Sequence, residues 1–103
     1  MILEIATLNV NKEQTAAFEQ AFTEAQSIIA STPGHISHQL QRCLETPGKY
    51  LLLVSWRNIE DHTVGFRQSA GYQQWREKLY HFYAAPPSVE HYEKLFEAQA
   101  QGA

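Results

Sequence analysis

Apolar and polar positions alternate with a period of two over four stretches of the chain and recur at helical spacing over two others. The first stretch, Ile2 to Val10, puts Ile2, Ala6, Leu8 and Val10 on one side and Leu3, Ile5, Thr7 and Asn9 on the other, which predicts a strand. Asn11 then offers an N-cap, and Gln14 three residues later completes a capping-box pattern. Phe18, Ala21, Phe22, Ala25, Ile28 and Ile29 follow at three- and four-residue spacing, opposite Glu19, Gln20, Glu24 and Gln26. That is an amphipathic helix of about five turns, stopped by Pro33-Gly34.

From His35 to Glu45 the period returns to two, with Ile36, His38, Leu40, Arg42 and Leu44 on one face and His35, Ser37, Gln39, Gln41 and Cys43 on the other. The second face is polar but uncharged, which suits a pocket wall or a wet interface. Thr46-Pro47-Gly48 is a turn signal that joins this strand to the next as an antiparallel hairpin. The partner strand, Lys49 to Arg57, carries Tyr50, Leu52, Val54 and Trp56 on one face and Leu51 and Leu53 on the other, so both faces call for cover. Asn58 is a good N-cap for a helical segment that starts near Ile59 and pauses at Ser69-Ala70-Gly71, where Ser69 can cap a second piece. Tyr72, Trp75, Leu79 and Phe82 give that piece a core stripe, and Pro86-Pro87 ends it. Val89 to Phe96 alternates as a last strand, and residues 97–103 form a small polar tail expected to fray.

Strand, helix, strand, strand, helix, strand is the order of an α+β, ferredoxin-like βαββαβ domain over residues 1–96. Right-handed crossovers put both helices on one face of a four-stranded antiparallel sheet. The other face is then bare, although each large apolar side chain left in water forgoes roughly 1.5 to 3 kcal/mol. A second copy of the same sheet, packed about a two-fold axis, supplies the cover, so a homodimer is expected, with a cavity between sheet and helices in each protomer.

Charge narrows the partners. Eight Lys and Arg are scattered among eleven acids, for a formal net charge of -3, and no basic stripe marks a nucleic-acid surface. One cysteine, Cys43, excludes an internal disulfide and a multi-cysteine zinc site. The N-terminus lacks the basic and apolar regions of a signal peptide, and no apolar run reaches the roughly 20 residues of a membrane helix. The expectation is a soluble cytoplasmic protein with no nucleic-acid or membrane partner.

The run LLLVSWRNIEDHTVGFRQSAGYQQW, followed by HFYAAPPSVEHYE, resembles the antibiotic biosynthesis monooxygenase (ABM) family over about residues 1 to 96. The most specific part is the strand ending in Trp56, the Glu60-Asp61-His62 helix start, and Phe66-Arg67-Gln68-Ser69 before Tyr72. The resemblance implies a dimeric α+β barrel and, for part of the family, use of molecular oxygen on quinols or anthrones without metal or flavin. It therefore implies no cofactor and a small aromatic partner. Many members carry histidines in a pattern like H-x-x-S-x-H-F; here Phe66 and Gly71 stand in their places. Asn9 lies where the haem-degrading branch places a functional Asn, but that branch's ligating His is not matched, which argues against haem degradation.

Oxygenation of this kind needs a base, since a phenolate gives up an electron more readily than a phenol, and imidazole titrates in the useful range. The candidate catalytic residues are His62, early in the second helical segment, His81 near its end, and His91 on the last strand. The candidate substrate contacts are Asn9, Trp56, Phe66, Tyr72 and Trp75, with His62 and Phe66 four apart on one helical face and Trp56 just behind. Each has an ordinary structural reading as well: His81 suits a helix C-terminus, and the aromatic residues suit a core. No H-x-H or H-x-x-x-H spacing supports a metal site. The leading expectation is a cofactor-independent monooxygenase for a small, flat aromatic or quinol-like molecule. The alternative is a non-catalytic small-molecule-binding or sensing dimer on the same scaffold.

Overall fold

The computed structural model describes residues 1–102. Strand β1 spans Ile2–Asn9, helix α1 Thr15–Ala30, strands β2 and β3 His35–Arg42 and Lys49–Trp56, helix α2 Ala70–Leu79, and strand β4 Ser88–Tyr92. The sheet order is β2-β3-β1-β4 with every pair antiparallel. This is the expected ferredoxin-like α+β arrangement. The strands join in the order that two split βαβ units require, and both helices lie over one face.

That inner face holds the core. Ala6 and Leu8 on β1 and Tyr50, Leu52, Val54 and Trp56 on β3 meet Phe18, Phe22, Ala25 and Ile29 of α1 and Trp75 and Leu79 of α2, all buried. The α1 residues fall at spacings of four, three and four, which keeps them on one side of the helix. On the opposite face Leu3, Ile5, Leu51 and Leu53 are half-buried within the single chain, while Ser37, Gln39, Gln41, Glu90 and Tyr92 around them are exposed.

Local signals set the connections. Gly48, with φ +84°, makes the β2–β3 turn, and Gly34, with φ +91°, enters β2. A Cβ on Gly34 would collide with the Asp61 carboxyl. The Asn58 side chain accepts the Asp61 amide at 2.9 Å, and Ser69 Oγ accepts the Tyr72 amide at 3.1 Å, so the caps expected at these two residues form. Between them Asp61–Phe66 winds as a wide π-type turn in which the Arg67 amide reaches the His62 carbonyl at 3.1 Å. Such turns are uncommon and favour functional sites.

Three expectations are corrected. The capping box at Asn11 does not form, because the Asn11 side chain donates to the Phe82 carbonyl at 3.2 Å and to Gln14 Oε1 at 3.3 Å. A short 3₁₀ turn, Lys12–Gln14, precedes α1 instead. The last strand stops at Tyr92 and does not reach Phe96. Leu3 pairs with Tyr92, so β1 has only Ile2 left beyond that pair, and Leu95 and Phe96 are exposed. On β2 a bulge between His35 and Ser37 breaks the alternation. His35 therefore joins His38 on the inner face and Ile36 turns out to solvent.

Candidate active site

The alternation of β1 carries one carboxylate into the core. Glu4 lies two residues before Ala6, and its side chain is buried with only 4% exposure. Across the sheet it faces Val54 of β3 and His91 of β4. The Trp56 indole N–H donates to Glu4 Oε1 at 2.9 Å. His62, brought over the sheet by the π-type turn and 3% exposed, sets its Nε2 3.4 Å from the same oxygen. Its Nδ1 lies 2.8 Å from His91 Nε2. Four side chains from four segments are thus joined in the order Trp56, Glu4, His62, His91.

Burial decides the charges. It raises the Glu4 pKa, against the opposing pull of the Trp56 N–H and the Arg67 guanidinium. It drives the His62 pKa down to about 3, aided by Arg67 and then by His91. His91 is lowered too, by burial and then Arg67. An ion pair between His62 and Glu4 would need an imidazolium, which burial and Arg67 both oppose, so at neutral pH His62 is a neutral imidazole with one N–H and one lone pair.

Glu4 and His62 border a cavity of about 50 Å³ between the sheet and α2. Phe66 and Trp75 form further wall, and Arg67, Tyr72, Tyr80 and Tyr83 the more exposed rim. The Tyr72 and Tyr80 hydroxyls are 3.0 Å apart, and the Arg76 guanidinium lies 4.7 Å above the Tyr80 ring. Burial and then the Tyr72 hydrogen bond hold Tyr80 up at about 12, and burial raises Tyr83, so both remain phenols at neutral pH. An engineered apolar cavity of about 150 Å³ accepts benzene, so this one takes a few waters as it stands. Among the described residues no group of three His, Cys, Asp or Glu side chains is placed to hold a metal ion.

Of the residues singled out by sequence, His62, Phe66, Tyr72 and Trp75 border the cavity, and His91 touches it through His62. Trp56 does not border it. The indole is fully buried, with the His62 ring stacked on it at 5.4 Å and Phe66 tilted against it at 6.0 Å, so these three rings pack against one another. Asn9 is exposed at the end of β1, and its carbonyl accepts the Ala84 amide. His81 is exposed beside Phe82, away from the cavity. Sequence reasoning missed Glu4, Tyr80 and Tyr83. The signal for Glu4 was present, since it is the charged member of the series Ile2, Glu4, Ala6, Leu8.

A second imidazole pair sits on the other side of Trp56. His35 Nε2 is 2.8 Å from His38 Nδ1, and His38 Nε2 is 2.9 Å from Gln26 Oε1 of α1. His35 meets the Trp56 ring edge-on at 6.0 Å.

Comparison with known proteins places this geometry in context. The family model described as antibiotic biosynthesis monooxygenase matches residues 1–78. The uncharacterized protein YczJ of Bacillus subtilis (strain 168) is 45% identical over 95 residues, which cover 92% of this chain and 100% of that one. A crystal structure of a provisionally assigned antibiotic biosynthesis monooxygenase from Bordetella bronchiseptica superimposes with a TM-score of 0.89 at 36% identity, covering 92% and 97% of the two chains. SnoaB, a cofactor-independent oxygenase from Streptomyces nogalater, shares the fold with a TM-score of 0.73 at 15% identity over 99% and 97%. A match of this extent to the family model, with a relative 45% identical along its whole length, means that the chain belongs to the antibiotic biosynthesis monooxygenase family.

Proposed function

We propose that this protein is a cofactor-independent monooxygenase that oxidises a small, flat, hydroxyl-bearing aromatic or quinol-like molecule, working as a homodimer in the cytoplasm. The observation that carries the reading is a buried, neutral His62 beside Glu4 at a cavity whose wall, apart from these two and Arg67 at the rim, is aromatic and aliphatic. Family membership supports a monooxygenase-like role. The His62 imidazole, acting together with the Glu4 carboxyl beside it, takes a phenolic proton, and the resulting anion is the electron donor to oxygen. In the overall reaction the carbon made nucleophilic by the phenolate, a ring C–H that is CH₂ in the keto tautomer, becomes C=O while the second oxygen atom leaves as water. All four electrons that reduce O₂ come from the substrate, so the balance requires no external reductant.

A ring enters only if the rim opens. Arg67 is exposed and Tyr72 and Tyr80 are half-buried, so the rim side chains are the ones with room to swing. The dimer reading is supported by the open sheet face, where Leu3, Ile5, Leu51 and Leu53 lie together, and by exposed Leu95 and Phe96 beyond β4. The small size of the cavity favours a second reading, a ligand-binding or sensing dimer that performs no chemistry. Oxygen uptake over a panel of hydroquinones and anthrones, with wild type and His62→Ala, separates the two. Turnover that falls at least about 100-fold in the variant is the expected result, in line with loss of a general base. Saturable binding without oxygen uptake would establish the second reading, and turnover unchanged by the substitution would remove His62 from the chemistry.

A further inference from the structure

The contacts around His62 form a chain with one buried end and one end at the sheet edge. Glu4, at the inner end, borders the cavity and is buried. His62 hydrogen-bonds His91 through Nδ1 at 2.8 Å and holds its opposite nitrogen, Nε2, 3.4 Å from the Glu4 carboxyl, a contact that a shift of a few tenths of an ångström turns into a hydrogen bond. His91 does not border the cavity; it is half-buried on β4, which pairs only with β1 and so is an edge strand. The contact between Nδ1 of His62 and Nε2 of His91 needs one donor and one acceptor, so exactly one proton lies between the two rings when both are neutral.

We propose that Glu4, His62 and His91 are a proton-transfer chain from the cavity to solvent, in which the tautomers of both imidazoles reverse when Glu4 ionises. With Glu4 protonated, His62 carries its proton on Nδ1 and donates it to Nε2 of His91, whose own proton is on Nδ1. Ionisation moves the carboxyl proton to Nε2 of His62 while the Nδ1 proton of His62 passes to Nε2 of His91. The imidazolium so formed at His91 releases its Nδ1 proton to water. Both rings end neutral and Nε2-protonated, with one proton exported and no other change. The charged and titratable groups around the chain are Arg67 from the segment after the π-type turn and the Tyr72, Tyr80 and Tyr83 phenols across the cavity. Arg67 favours the carboxylate and disfavours either imidazolium, so it promotes export. The chain rests on the reading that a substrate gives up a proton in this cavity, and it supplies what a single base lacks, a route for that proton to leave.

The test uses the full-length protein and requires no turnover. With ¹⁵N-labelled histidine and ¹³C-labelled glutamate, NMR follows the ring nitrogens of His62 and His91 and the carboxyl of Glu4 from pH 4 to 9. The expected result is an exchange of the protonated and unprotonated ¹⁵N positions in both rings over the pH range in which the Glu4 carboxyl titrates. In Glu4→Gln, which keeps an oxygen for the Trp56 N–H, that exchange is lost. Tautomers that stay fixed while Glu4 titrates, or an imidazolium at His62 at pH 7, would overturn the proposal, and wild type alone suffices to see either. A reversal of tautomers in a protein with no oxygenase activity would overturn the monooxygenase reading and leave the chain standing. Activity with fixed tautomers would do the opposite and leave His62 as an isolated base.

Discussion

The His62 imidazole lies flat against the Trp56 indole, with centroids 5.4 Å apart and planes inclined by 22°, while both reach the same oxygen of Glu4. Stacking positions the imidazole, and the indole N–H occupies part of the carboxyl's hydrogen-bonding capacity. Trp56 is thus a positioning residue for His62 and a partner for Glu4, without itself bordering the cavity.

Trp56→Phe removes the donor and leaves most of the ring volume. Loss of one partner from a buried polar group costs about 1–3 kcal/mol, so urea denaturation should show destabilisation of that order. With its N–H donor gone the Glu4 carboxyl should titrate at a still higher pH, visible in its ¹³C resonance.

Stability should fall on acidification. His62, His35, His38 and His91 all have folded pKa values below the ordinary one, chiefly through burial. The unfolded chain therefore binds more protons as pH drops below about 6.5, and the native state loses ground there. Glu4 works with the opposite sign. Its raised pKa means that the native state binds the extra proton above about 4.5, so its contribution weakens as pH rises through that window. Four histidines outweigh one carboxyl, and thermal melts should show Tm decreasing from pH 7 to pH 5. Glu4→Gln, free of the buried charge, should melt higher than wild type at pH 8 and at about the same temperature at pH 4.

Gly34→Ala should be among the most damaging small substitutions. The left-handed backbone costs a side chain about 1–2 kcal/mol, and the added Cβ meets the Asp61 carboxyl, which is held by Arg57 at 3.0 Å. A loss of more than about 2 kcal/mol in chemical denaturation is expected, whereas Gly65→Ala, at an ordinary φ with only the Glu60 carbonyl in van der Waals range, should cost far less.

The proposed homodimer should depend on the open sheet face. Light scattering of a dilute sample should give twice the chain mass, and Leu53→Lys should shift it toward the single chain, because a desolvated ammonium in an apolar interface is costly. A wild-type protein with the mass of one chain would remove the dimer.

Most of the fold was legible because its elements are strongly periodic. Both helix caps, the hairpin turn and the sheet order follow from Asn58, Ser69, Gly48 and the two-face apolar pattern of β3. The misreadings have local causes. One extra residue in the bulge near Ile36 reversed the facing of His35, and β4 lacked partner residues that only the strand register reveals. Around the cavity, His62, Phe66, Tyr72 and Trp75 were legible as neighbours because aromatic and imidazole groups cluster within a few turns of chain. Glu4 was passed over because an acid on a strand is ordinarily exposed, and only the convergence of Trp56 and His62 from distant segments makes its burial tolerable.

The bulge on β2 has an optical consequence. By turning His35 inward it leaves Trp56 with one imidazole at its edge and another on its face. Protonated imidazole quenches indole fluorescence far more strongly than the neutral ring, so the emission of this tryptophan is a built-in gauge of the charge on its neighbours. Trp75→Phe would leave Trp56 as the sole tryptophan, and its brightness against pH, excited apart from the tyrosines, would then report when either flank takes up a proton, with no label attached.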